Sequence, residues 1–161
     1  MRRAARHLPG EGGAGDSLLL PYHDRYRRRG VLTLGSGEAI LLDLAEAAEL
    51  CDGDALELED GDRITVRAAA EPLTEVRGDL ARLAWHIGNR HTPCEVGADR
   101  LRIQRDHVLE AMLAGLGAEI AHIEAPFQPE GGAYGHGRTH GHAHAHDPDD
   151  DPNAHIPHRH G

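Results

Sequence analysis

The 161-residue chain has no lysine, only two cysteines and no apolar run of about 18 residues, and each absence removes a class of explanation. Without such a run, no segment is expected to span a bilayer, and a soluble protein with no membrane partner is the reading. The basic start, Met1-Arg2-Arg3-Ala4-Ala5-Arg6, has no apolar stretch behind it, which argues against a secretory signal and for the cytoplasm. Cys51 and Cys94 lie far apart and neither belongs to a C-x-x-C pair, so a disulfide framework and a thiolate zinc site are both disfavoured. A bound metal would have to rely on imidazole and carboxylate. No H-E-x-x-H is present, and no three folded ligands converge with a placed general base, so a metal-dependent hydrolase has no support and the chain reads as a non-enzyme.

The abundant groups are histidine, with 14 residues, and acids, which outnumber arginine 27 to 17. The first 30 residues are net basic, whereas residues 31–125 are strongly acidic. An acidic middle repels phosphate backbones, so nucleic acid is not an expected partner despite the run Arg25-Tyr26-Arg27-Arg28-Arg29. That run reads as a solvated turn, with a patch for an acidic partner as the alternative.

Residues 1–16 are Gly-rich and aperiodic, which predicts a flexible N-terminus. From Ser17, short runs (Leu18–Leu20, Val31–Leu34, Ala39–Leu44, Ala55–Leu58, Ile64–Val66) are divided by Gly-Ser-Gly and Asp-Gly turns. This spacing predicts a small β barrel or sandwich over 17–71, with Asp60-Gly61 as its clearest hairpin turn. The period then changes. Leu73–Arg77 reads as a strand. Asp79 caps a helix whose Leu80, Leu83, Ala84 and Ile87 share a face, and Gly88 is the expected stop. Cys94–Val96 and the alternating Arg100–Arg105 make a hairpin. Asp106 caps a second helix with Val108, Leu109, Met112, Leu113 and Leu116 on one face, and Glu119–Ile123 returns as a strand. The order β-α-β-β-α-β over 72–126 is a ferredoxin-like split βαβ unit, so the fold class is α+β. So short a unit buries a modest core, which a dimer interface would supplement.

Residues 127–161 complete the chain as a His-rich tail, expected to be disordered for lack of large apolar side chains. It carries His136, His140, His142, His144, His146, His155, His158 and His160. Imidazoles on small spacers suit nickel, copper and zinc and can gather around an ion without a prebuilt cavity. Within the folded part, His91 follows the stop Gly88-Asn89-Arg90 and precedes Pro93, so it should project from a turn. One imidazole holds an ion poorly; two, paired across a homodimer axis, supply half a site that tails could complete. His107 opens the second helix, where the dipole favours neutral imidazole, and reads equally as a ligand or a plain helix residue. His86, His122, His7 and His23 read as packed or surface residues, and Cys94 as core.

With Trp85 to Pro93, Asp106-His107-Val108-Leu109-Glu110-Ala111-Met112-Leu113 and Gly132-Ala133-Tyr134-Gly135-His136 in view, the chain resembles the UreE family of urease accessory proteins, nickel metallochaperones. The resemblance implies an N-terminal β domain with peptide- or partner-binding character and a metal-binding, dimerising C-terminal domain. The family's central nickel ligand falls on His91 and a second family histidine on His107. Some members carry a further histidine where this chain has Arg105. The implied role is delivery of Ni(II) to apo-urease through an accessory GTPase complex, with Zn(II) or Cu(II) as competitors in vitro. The alternative is a cytoplasmic metal store or buffer acting through the tail alone.

Overall fold

A computed structural model of the chain describes residues 1–131. The tail histidines from His136 to His160 lie outside the described residues. Six strands, β1 (Arg2–Leu8), β2 (Ser17–Leu20), β3 (Tyr26–Thr33), β4 (Ala39–Glu49), β5 (Ala55–Leu58) and β6 (Arg63–Ala68), form one sheet ordered β2-β6-β5-β1-β4-β3. Its core follows from alternation. Ile40, Leu42 and Leu44 of β4 turn inward with Leu56, Leu58, Ile64 and Val66, and all are buried. The amide of Gly35, just past β3, donates to the Ser17 carbonyl at 2.8 Å, which ties the two edges together at one end. The sheet therefore curls as a half-barrel. A Cβ at Gly35 would sit 3.2 Å from Ser17 Oγ, so this junction favours glycine.

Three expectations for this half need correction. First, the N-terminus is not loose: β1 is an inner strand, parallel to β4 and antiparallel to β5, with Ala4 fully buried. Its outward residues are arginines held by acids of neighbouring segments. Arg2 pairs with Glu38, Asp60 and Asp62, Arg3 with Asp43 and Glu59, and Arg6 with Glu57. Second, the arginine run is not a solvated turn. A 3-10 helix (Tyr22–Asp24) leads into β3, and Arg25 between them is buried. Third, the β5–β6 hairpin forms around Asp60-Gly61 as expected, but its turn takes in Glu59 as well: Leu58 N donates to Asp62 O at 2.8 Å and Gly61 takes φ +91°.

The second unit begins almost at once, with β7 (Ala70–Arg77) starting two residues after β6 ends. It continues as α1 (Leu80–Asn89), β8 (Glu95–Val96), β9 (Leu101–Gln104), α2 (His107–Gly115) and β10 (Glu119–Pro126). The sheet is antiparallel and ordered β10-β7-β9-β8, and the whole is α+β. Leu83 and Ile87 of α1 and Leu109 and Leu113 of α2 share one core with Val76, Leu101 and Ile103. Val108, expected on the inner face of α2, is instead 56% exposed. The chain also stays ordered past Pro126: Phe127 is fully buried, and Glu130 N donates to Cys94 O at 2.8 Å.

Phe127 joins the two halves. Its ring meets the Tyr22 ring edge-on at 5.3 Å, and its carbonyl accepts from Arg25. Tyr22 N donates to Glu71 Oε2 at 2.8 Å, and Gln104 Nε2 donates to the other oxygen of that carboxylate at 3.1 Å. These contacts fix the walls of the cleft that holds the site.

Candidate metal site

Helix α1 is built to deliver His91. The Asp79 carboxylate accepts from Arg82 N at its start, and Leu83 and Ile87, one turn apart, seat it on the sheet. Gly88 does not stop it; the helix runs on to Asn89. The chain leaves through two bonds, Arg90 N to Ile87 O at 3.1 Å and His91 N to Gly88 O at 3.0 Å. The residue that takes the left-handed conformation closing such a helix is His91 itself, at φ +55°. Among the described residues it is the one non-glycine residue with positive φ. That conformation costs a residue with a Cβ about 1 kcal/mol. Here the turn holds an exposed histidine in it.

His91 lies in a cleft of about 960 Å³ between the two halves. One wall carries Tyr22, His23, Arg25 and Cys51 of the β half; the other carries His91, Pro93 and Cys94. Gln128 to Gly131 also line it, so the described chain ends at its edge. Cys94 is half-buried, and that burial, with Glu130 and Glu95 adding, pushes its thiol up to about 11. It therefore offers no ready thiolate. Burial, then Asp54 and Glu49, also raise the Cys51 thiol.

Among the described residues the other histidines are dispersed. His107 is exposed at the first position of α2, whose cap Asp106 accepts from Val108 N and Leu109 N at 2.9 and 3.1 Å; it is not among the cleft residues. His86 packs edge-on against Trp85 at 5.0 Å, His7 bonds Asp54 at 2.7 Å, and His122 bonds Glu110 at 2.8 Å. His23, read from the sequence as a packed or surface residue, lines the same cleft as His91 from the other half. Among the described residues no three His, Cys, Asp or Glu side chains come together as an ion-holding group. His91 can thus contribute one ligand to a site that other atoms must complete.

The sequence model of the UreE urease accessory protein C-terminal domain matches residues 64–160, and that of the UreE N-terminal domain matches residues 2–69. The chain is 60% identical over 137 residues to the urease accessory protein UreE of Paracoccus denitrificans, covering 85% of this chain and 87% of that protein. It is 54% identical to the UreE of Rhodobacter capsulatus over 141 residues, or 86% and 90% of the two chains. With both domain models matched and that much identity along most of its length, the chain belongs to the UreE family of urease accessory proteins.

Proposed function

We propose that this protein is a nickel carrier in urease maturation. It binds Ni(II) as cargo, holds one ion between the His91 imidazoles of a homodimer, and passes it to apo-urease through the accessory GTPase complex in the cytoplasm. Membership of a urease accessory family supports the role in maturation. The observation that carries the metal assignment is His91, a strained, exposed imidazole on a rigid helix end, at a cleft whose edge is where the His-rich segment begins. An open site with one folded ligand per chain favours release, which is what a carrier needs. Exposed Trp85 on α1 and Val108 on α2 support a partner surface on this half.

The division of labour we read is a partner-binding β domain over residues 17–71, extended by β1, a ferredoxin-like metal-binding and dimerising domain over 72–126, and a tail from 127. His107 is an accessory ligand in this reading. His136, His140, His142, His144, His146, His155, His158 and His160 collect ions and complete the coordination. Calorimetry with nickel tests the site: His91→Ala should remove the tightest binding event, half an ion per chain, and leave the weaker ones. Retention of the tight event would overturn it. The second reading, a store acting through the tail alone, predicts that His91→Ala changes nothing.

A further inference from the structure

The run Arg27-Arg28-Arg29 has no part in nickel binding, and it lies on β3, an edge strand that pairs only with β4. The other edge of the six-stranded sheet is β2. Gly35 N, donating to Ser17 O, ties the two edges at one end, and the 3-10 helix joins them at the other. Among the described residues no ladder pairs β2 with β3 between those ties. A bare edge offers its backbone groups to another chain, so folded proteins keep such edges short, covered or charged. This one runs for 8 residues, with Val31 59% exposed on it and Leu19 63% exposed on β2.

The charge on the β3 edge is poorly matched from within the chain. Acids outnumber arginines 27 to 17, and the arginines of β1 meet them at close range: Arg2 lies 2.7 Å from Glu38 and from Asp62, and Arg6 lies 2.7 Å from Glu57. Arg28, by contrast, is exposed and has no acid within ion-pair distance among the described residues. Its Nε donates to the Leu44 carbonyl at 3.2 Å, where the β3–β4 ladder slips between Arg27 and Arg29. Arg29, its side chain 65% exposed, reaches Asp43 at 3.8 Å, but Arg3 already bonds that carboxylate at 2.9 Å. Two adjacent guanidiniums thus stand open to carboxylates, with an apolar side chain, Val31, two residues further on.

We propose that the open edge of β3 is where the β half receives a partner, and that the partner supplies an extended segment with two adjacent carboxylates and an apolar side chain two residues from them. The segment adds as a strand: its backbone bonds β3, its carboxylates lie opposite Arg28 and Arg29, and its apolar side chain lies opposite Val31. A second copy of β3, laid antiparallel and centred on the same stretch, would set arginine against arginine, so like charge opposes self-pairing there. The inference rests on the partner-binding reading of the β domain and is independent of His91.

The test uses the full-length, metal-free chain, isotope-labelled for backbone amide NMR. The probe is the end-capped octapeptide Thr-Val-Thr-Glu-Glu-Thr-Val-Thr, which reads the same in either strand direction, and its control has glutamine for both glutamates. The glutamate peptide should shift the amides of residues 27–33 and saturate at millimolar concentration. The glutamine control should bind about tenfold more weakly, and the exposed-site variant Arg29→Ala should weaken the glutamate peptide about threefold, as cross-strand charge pairs do. No shift along β3, or equal affinity for the two peptides, would overturn the proposal and leave the arginines as guards of a bare edge. Amides of β3 that move on dilution without peptide would also overturn it, since a second copy would then hold the edge. Shifts confined to other residues of 2–68 would overturn the edge assignment while the partner-binding reading of the β half stood. Because no metal is present, each of these results is separate from the nickel titration of His91→Ala.

Discussion

Replacing His91 by glycine and by alanine should separate what its backbone does from what its ring does. At φ +55° a residue with a Cβ is strained and glycine is not. The imidazole is exposed, so removing it sacrifices little packing. His91→Gly should therefore stabilise the protein by about 1 kcal/mol. With a urea dependence of about 2 kcal/mol per molar, the unfolding midpoint rises by roughly 0.5 M. His91→Ala keeps the strain and should fall within about 0.5 kcal/mol of the parent. Both variants lose the ring. Urea unfolding of the three metal-free proteins, followed by far-ultraviolet circular dichroism, reads the difference directly. Equal midpoints for the glycine and alanine variants would refute the claim that the turn stores strain at the proposed metal ligand. The expected order, more stable yet unable to bind tightly, would mark His91 as kept for function at a cost in stability.

Other outcomes follow from the same contacts. Leu83→Ala, at a fully packed position beneath α1, should cost about 2–5 kcal/mol and weaken nickel binding by loosening the turn that aims His91; denaturation and calorimetry on one variant would show both. Asp106→Ala removes the acceptor for two amides of α2 and should cost about 1 kcal/mol, with little effect on the tight site if His107 is only the accessory ligand we propose. The Thr74 hydroxyl, against an opposing effect of burial and with help from His122, holds the Glu110 carboxyl below its ordinary value of 4.5. A depressed carboxyl stabilises the fold above its unfolded value and loses that contribution as pH falls through the folded one, so Glu110→Gln should flatten the acid limb of stability below about pH 4.5. Nickel uptake should fall as pH drops through about 6.5, because imidazolium cannot ligate; equal stoichiometry at pH 8 and pH 5.5 would contradict this.

The parts of the fold legible in the sequence are those written in local periodicity. The i, i+3, i+4 face of Leu80, Leu83, Ala84 and Ile87 and the alternation of Leu101 and Ile103 carry the second unit, and their partners lie nearby in the chain. What escaped depends on distant residues. Strand β1 has no apolar alternation to announce it, because its outer face is made of arginines whose acids sit 36 to 60 positions away. Arg25 reads as a surface charge until Phe127, 102 residues later, offers its carbonyl. Gly88 is the conventional helix stop, and nothing local signals that His91 takes the left-handed position instead. The exposed turn position of His91 was legible from Gly88-Asn89-Arg90 and Pro93, but the cleft around it was not, since Tyr22, His23 and Gln128 meet only through the packing of the two halves.

The pairing of two His91 imidazoles is tested most directly by counting nickel in a full-length variant whose eight tail histidines are serines, with sedimentation recorded on the same samples. The account predicts a dimer that loses the added ligands yet retains one ion per two chains, abolished by His91→Ala. One ion per chain on a monomer, or no ion at all, would contradict it.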